Sequence, residues 1–235
     1  MRVGMDFEYI LEMVAISSFA VFGANAAIEK KMDIFGVIVL ACVTAVGGGF
    51  IRDLILKVDV PVMFATPMYC TVATLTAIVI ILVTNFIRVQ IARQKFDAQK
   101  SVILRVRFNY IVTVCDAIGM GYFAIAGVNI TVAHGFRDNI FMCIFIGVLT
   151  AVGGGMLRDM MLARQPMIFR KEIYATAAIV GSLIYYFIEP YMNHTVAVYL
   201  CTLLIAGIRM YTYKKNLNLP ALYIKNGKKE QARTP

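Results

Sequence analysis

Two ten-residue stretches hold the side chains best placed to do chemistry in this chain. They are Thr44-Ala45-Val46-Gly47-Gly48-Gly49-Phe50-Ile51-Arg52-Asp53 and Thr150-Ala151-Val152-Gly153-Gly154-Gly155-Met156-Leu157-Arg158-Asp159, identical at eight of ten positions. Each lies late in a long apolar run, where an ordinary membrane helix would carry Leu or Ile. Ionisable side chains at such depth mark ion paths, relays or gates, and each glycine costs about 1 kcal/mol relative to Ala in a helix interior. The chemistry this combination suits is non-covalent. Backbone carbonyls freed at a helix break can line a water-filled path and bind a cation, because irregular backbone is tolerated at membrane depth only where it is buried or faces such a cavity. On that reading Gly47, Gly48, Gly49, Gly153, Gly154 and Gly155 are the pore or helix-break positions, and Glu12, Arg52, Asp53, Asp116, Arg158 and Asp159 are the intramembrane charges.

Each assignment has a plainer competitor. Small residues also let two helices approach closely, but successive residues point in different directions around a helix, so three glycines in a row exceed what one face needs and favour a break. Arg52 and Arg158 are either snorkelling anchors or structural and gating charges. Adjacent residues on a helix do not face one another. Asp53 and Asp159 are therefore expected to pair away from their neighbouring arginines, while matching depth pairs Glu12 with Arg52 and Asp116 with Arg158. Asn25 and Asn129 either line a pore or hydrogen-bond between helices. Pro61 and Pro166 end the motif helices, and Tyr69 and Tyr174 read as interface or core aromatics.

Covalent catalysis finds no support. His134 and His194 stand near loops without metal-ligand spacing or a nucleophile partner, so no enzyme activity, metal or cofactor is expected. Cys42, Cys70, Cys115, Cys143 and Cys201 all fall inside apolar runs with no CxxC spacing, which reads as packing.

The elements that must position the motifs are membrane helices. A chain of 235 residues that is 60% hydrophobic, with mean hydropathy +0.75 and 16% charged residues, is too apolar for a soluble domain. A hydrocarbon core of about 30 Å needs about 20 residues per helix. Seven such runs are present, near 9–28, 34–56, 66–87, 108–132, 139–162, 172–189 and 195–213. The leader carries Asp6, Glu8 and Glu12 against Arg2, the opposite of a secretory n-region, so the first run is read as a membrane helix. A net charge of +9 would point to nucleic acid in a soluble protein, but here the distribution decides. With the N-terminus outside, seventeen basic residues fall in inner loops and the tail, and only Arg2, Lys57 and Arg137 fall outside. The positive-inside rule then places the C-terminus in the cytoplasm, with no nucleic-acid partner and with membrane lipid as the surroundings.

The chain also repeats. Phe19-Ala20-Val21-Phe22-Gly23-Ala24-Asn25 corresponds to Phe123-Ala124-Ile125-Ala126-Gly127-Val128-Asn129, and Glu12 to Asp116, at an offset of 104. Two extra residues in the His134 to Asp138 loop raise the offset to 106 at the glycine motifs. Pro61-Val62-Met63-Phe64 then corresponds to Pro166-Met167-Ile168-Phe169. Three helices repeat as three helices, and because three is odd the copies have inverted topology. The expected architecture is an all-α membrane protein in one membrane domain spanning 1–235. It comprises a first repeat at 7–90, a second at 108–190, a seventh helix at 195–213 that covers the bundle, and a basic cytoplasmic tail at 214–235.

The doubled Gly-Gly-Gly-x-x-Arg-Asp, followed by Pro-x-x-Phe and a Tyr, with Asp116 ahead of Phe123-x-x-x-Gly127 and a late Leu219-Pro220, resembles the prokaryotic trimeric intracellular cation (TRIC) channel family. The same two-copy domain is also catalogued as a glycine transporter domain. The resemblance runs from about Phe7 to Pro220. It implies seven helices with the second and fifth broken at their glycines, a homotrimer in the inner membrane, and a potassium-permeable path within each protomer, with potassium or another monovalent cation as cargo and room for bound lipid. Glu12 in place of Asp, and the Lys57-Val58-Asp59 segment after the first motif, are the departures. Inverted repeats with broken helices equally suit a carrier for a small zwitterion such as glycine by alternating access, and a non-conducting scaffold is a third reading.

Overall fold

The computed structural model describes residues 2–93, 98–170 and 172–215, and the described residues are helical throughout apart from short connections. In chain order the helices are α1 (Arg2–Glu29), α2 (Ile34–Ile55), α3 (Val62–Ala65), α4 (Met68–Arg93), α5 (Ala98–Thr131), α6 (Ile140–Met161), α7 (Met167–Arg170), α8 (Glu172–Ile188) and α9 (His194–Lys215). A π-helical turn, Val132–Phe136, follows α5, and a 3-10 turn, Glu189–Tyr191, follows α8. Among the described residues six helices are long and apolar enough to cross a membrane: α1, α2, α4, α5, α6 and α9. Helix α8, with 17 residues, is apolar but shorter. The extra loop residues near His134 are taken up by the π-turn, in which Gly135 adopts φ 86° and His134 Nδ1 meets the Ile130 carbonyl at 2.8 Å.

Helices α2 and α6 are built alike. Asp33 caps α2 by accepting from the Gly36 amide at 2.7 Å, and Asn139 caps α6 by accepting from Met142 at 3.0 Å. Each side chain satisfies an otherwise orphaned N–H of the first turn. At the other end Val58 donates to Asp53 O at 3.0 Å and Arg164 to Asp159 O at 2.9 Å. These bonds curl the chain over the last turn and force Lys57 (φ 54°) and Ala163 (φ 50°) into the left-handed region. Glycine is the usual occupant there.

The expected helix breaks are absent. Both α2 and α6 continue as α-helix through Gly47–Gly49 and Gly153–Gly155. The glycines serve a crossing instead. A Cβ on Gly48 would overlap the Thr150 carbonyl oxygen, and one on Gly154 would overlap the Thr44 carbonyl oxygen. Only residues without side chains let the two backbones meet. The propensity cost is met by close packing between helices, not by a freed carbonyl.

Around this crossing, α1 packs on α2, α4 and α5, while α5 packs on α6, α8 and α9. Phe19 of α1 and its repeat equivalent Phe123 of α5 meet with ring centroids 5.1 Å apart. Helix α9 lies against α5 and α8. The directions follow from loop contacts. A four-residue turn makes α2 run antiparallel to α1, so α2 ends on the face opposite Glu29. Arg164, just after α6, lies 3.7 Å from Glu29. Helix α6 therefore ends on the face where α1 ends, and α2 and α6 run in opposite directions. The other face gathers Glu8, Arg137, Glu189 and His194, with Arg137 Nη2 at 3.0 Å from Glu189 Oε2 and His194 Nε2 at 3.6 Å from Glu8 Oε1. That hydrogen bond from Arg137 raises its guanidinium pKa further above its ordinary value.

Candidate functional site

Each motif ends in a buried ion pair. Arg52 donates from Nε to Asp53 Oδ1 at 2.8 Å, and Arg158 donates from Nε and Nη2 to Asp159 Oδ1 at 2.9 and 2.7 Å. The exposures are 6% and 1% in the first pair and 3% and 5% in the second, so each charge is taken out of water only with its partner, as burial requires. This corrects the expectation that neighbours in sequence would pair elsewhere. The arginine side chain is long enough to fold back along the helix surface to its neighbour's carboxylate. The second carboxylate oxygen has its own task. Asp53 Oδ2 accepts from the Val62 amide at 2.9 Å, and Asp159 Oδ2 from the Met167 amide at 3.0 Å. Each aspartate thus fixes the first amide of the short helix, α3 or α7, that follows Pro61 or Pro166.

The acidic partners upstream behave differently from each other. Glu12 shares the lining of one small cavity with Tyr69 and Arg52 and lies within electrostatic reach of Arg52. Asp116 does not pair with Arg158. It faces Arg209 of α9, Oδ2 to Nη2 3.5 Å, with both side chains almost fully buried. Helix α9 is therefore tied to α5 by charge as well as covering the bundle. The asparagines also diverge. Asn129 accepts a hydrogen bond from Tyr185 of α8, the helix-to-helix bond that is one of its two readings, whereas Asn25 donates to Glu29 at 3.3 Å and faces a cavity. Tyr174 lies outside the described side chains.

Two cavities flank the glycine crossing. One, of about 40 Å³, is lined by Glu12, Gly49, Arg52, Asp53, Tyr69 and Phe123, among others. That volume accommodates no more than a few waters or one bare ion. The other, of about 300 Å³, is lined by Phe22, Asn25, Glu29, Thr113, Arg158, Asp159, Arg164 and Gln165, among others. It lies on the face where α1 ends. The Arg158 guanidinium carbon sits 4.2 Å from the centre of the Phe22 ring. Gly155 is half-buried beside the second pair. Among the described residues no cluster of three His, Cys, Asp or Glu could hold a metal ion.

Fold and site define an α-helical polytopic membrane protein, in which a doubled Gly-Gly-Gly-x-x-Arg-Asp element places a buried ion pair beside a cavity on each side of one helix crossing. The family model described as glycine transporter matches residues 9–85 and again 113–190, and the chain belongs to that family. The UPF0126 inner membrane protein YadS of Escherichia coli (strain K12) is 34% identical over 226 residues, covering 94% of this chain and 99% of that one. A UPF0126 membrane protein of Vibrio cholerae is 37% identical over 175 residues, 74% of this chain and 65% of the relative. Among solved structures, a prokaryotic TRIC channel crystallised in 0.5 M KCl has TM-score 0.77 at 27% identity, covering 92% of this chain and 100% of that one. The TRIC trimeric intracellular cation channel orthologue from Rhodobacter sphaeroides has TM-score 0.73 at 29% identity, covering 90% and 99%. The resemblance read from the motifs thus extends to the whole fold.

Proposed function

We propose that the chain is a monovalent cation channel, potassium being the expected ion, with a path in each protomer of a homotrimer. The observation that carries this reading is the pair of cavities on opposite sides of the α2–α6 crossing, each walled by a buried Arg-Asp pair. The likeness to cation channels over nine-tenths of the chain supports it. The antiparallel course of α2 and α6 supports two inverted repeats, with α8 as the seventh span by its correspondence to α4. In this reading the N-terminus is outside, the C-terminus is cytoplasmic, and the larger cavity opens inward. Each aspartate neutralises its arginine, so the charges do not bar a cation, and Glu12 and Glu29 supply the negative potential that draws one in. The glycine crossing separates the cavities and is the gate in this reading, since there the backbones of α2 and α6 meet directly at Gly48 and Gly154.

The inequality of the cavities, about 300 Å³ against about 40 Å³, favours a second reading as an inward-facing carrier for a small zwitterion by alternating access. Purified protein in planar bilayers, with labelled-glycine uptake measured in parallel in liposomes, separates the two. Ohmic unitary current steps in potassium chloride are expected. Saturable glycine uptake without unitary currents would replace the channel by the carrier.

A further inference from the structure

We propose that a third cavity, on the face where α1 ends, is a binding site for an anionic phospholipid, its phosphate held by Lys31 of the α1–α2 turn and Arg88 of α4. The cavity has a volume of about 470 Å³, within the range of small-molecule sites. Lys31, Thr84, Asn85 and Arg88 form its polar wall, and Val37 and Ile81 belong to its apolar wall. No carboxylate is among the described residues that line it. The acidic residues nearest in sequence have other tasks: Glu29 meets Asn25 and Arg164, and Asp33 caps α2. Lys31, Asn85 and Arg88 are exposed, so the cavity opens to the surroundings of the bundle. The guanidinium offers a planar fork that matches a phosphate, and the ammonium a point charge beside it. Basic pockets between membrane helices near an interface suit phosphorylated headgroups.

The second repeat shows what the first one lacks here. Asp33 and Asn139 are equivalent helix caps, so Lys31 and Arg137, two residues ahead of each, are equivalent cations. Carrying the offset of 105 that relates Pro61 to Pro166 along α4 and α8 brings Thr84 to the place of Glu189. Arg137 is neutralised by Glu189 at 3.0 Å. In the first repeat the carboxylate is a threonine, and the place of the anion is left to a ligand. Helix α8 is also covered by α9, whereas α4 packs chiefly on α1 and α2 and is the least buried of the six spanning helices. Ile78 and Leu82 are exposed one and two turns before Asn85 on the same side of α4. They give acyl chains an apolar track toward the membrane interior, which a soluble phosphate could not use. The two cations favour a headgroup with two phosphates over one with a single phosphate.

The test reads lipid and not current, so its result is independent of the channel reading. Purified, delipidated full-length protein in detergent is titrated with diphosphatidylglycerol, phosphatidylglycerol or phosphatidylcholine, followed by native mass spectrometry and thermal melting. Saturable binding of the two anionic lipids is expected, diphosphatidylglycerol the tighter, with melting raised by about 5–10 °C near a hundredfold excess over Kd. Lys31→Gln and Arg88→Gln, both at exposed positions where folding is not at stake, should each weaken binding about fivefold. Lys57→Gln, on the opposite face, should leave it unchanged. Thr84→Glu restores the carboxylate of the second repeat and should abolish the melting shift. The proposal is overturned if phosphatidylcholine protects as well as the anionic lipids, or if both Gln variants bind as the wild type does. Equal protection by inorganic phosphate would give the site to a free anion and overturn it too. Loss of the oligomer in the Gln variants, with no lipid bound by the wild type, would give the cavity to a second copy of the chain instead.

Discussion

Replacing Gly48 by Ala asks whether the triplets serve the crossing. The new methyl would overlap the Thr150 carbonyl oxygen, and it would also stand 3.1 Å from the Thr150 carbonyl carbon and 3.3 Å from the Gly154 nitrogen. These are backbone atoms of a packed helix, so relief requires α2 and α6 to separate. Overpacking of this kind costs about 1–3 kcal/mol, and the rigid obstacle puts it at the upper end. Helix propensity returns about 1 kcal/mol, leaving a net loss of about 2 kcal/mol. At Gly49 the methyl would lie 3.5 Å from Arg52 Nη2, an ordinary contact, so only the propensity gain of about 1 kcal/mol remains. Gly48→Ala and Gly49→Ala should therefore differ by about 3 kcal/mol, or roughly 6–12 °C in melting temperature for a chain of this size. Adding Gly154→Ala to Gly48→Ala should cost less than its single effect, because both push the same two helices apart. The assay is thermal unfolding of detergent-solubilised protein, followed by tyrosine fluorescence and by retention of the oligomer on gel filtration. If Gly48→Ala melts with Gly49→Ala or above it, these backbone contacts do not set the crossing and the reasoning fails.

Other predictions concern charge, backbone strain and sidedness. Asp116→Asn and Arg209→Gln should each cost about 3–5 kcal/mol and the double change much less than their sum, whereas Asp116→Asn with Arg158→Gln should be additive within about 0.5 kcal/mol. Double-mutant melting cycles check both halves. Ala163→Gly should raise stability by about 1 kcal/mol, since the left-handed backbone at φ 50° suits glycine; a lower melting temperature would contradict the helix-end geometry. Cysteines introduced at Asp59 and at Gln165 should be labelled by an impermeant maleimide from opposite sides of sealed vesicles, and labelling from one side alone would remove the inverted topology.

The helices are largely legible in the sequence because each needs a long apolar run. The run at 34–56 becomes Ile34–Ile55, and that at 139–162 becomes Ile140–Met161. Helices α1 and α5 begin earlier than hydropathy suggests, at Arg2 and Ala98, because polar residues continue a helix beyond the apolar layer. The glycine triplets misled for a reason that can be named. Propensity belongs to one helix, whereas the fit of Gly48 against Thr150 belongs to two, and no single stretch carries that information. Repeat symmetry likewise paired Asp116 with Arg158 and overlooked Arg209, which lies in the one span without a repeat partner. A signal was available: of 23 Lys and Arg residues, only Arg52, Arg158 and Arg209 sit inside apolar runs. Adjacency hid the Arg-Asp pairs, because the rule that neighbours do not face each other holds for short side chains better than for a curled arginine.

The central claim, that ions pass through the two cavities on either side of the α2–α6 crossing, is tested most directly by blocking each cavity from its own face. In a background with the five native cysteines replaced, Asn25→Cys places a thiol in the larger cavity and Tyr69→Cys one in the smaller. Potassium currents through reconstituted protein are recorded while a bulky cationic thiosulfonate is applied to one side and then the other. The account predicts that Asn25→Cys currents fall only with reagent on the cytoplasmic side and Tyr69→Cys currents only with reagent on the outer side. Currents unchanged in both variants after labelling is verified by mass would contradict it, and the path would have to run elsewhere in the assembly.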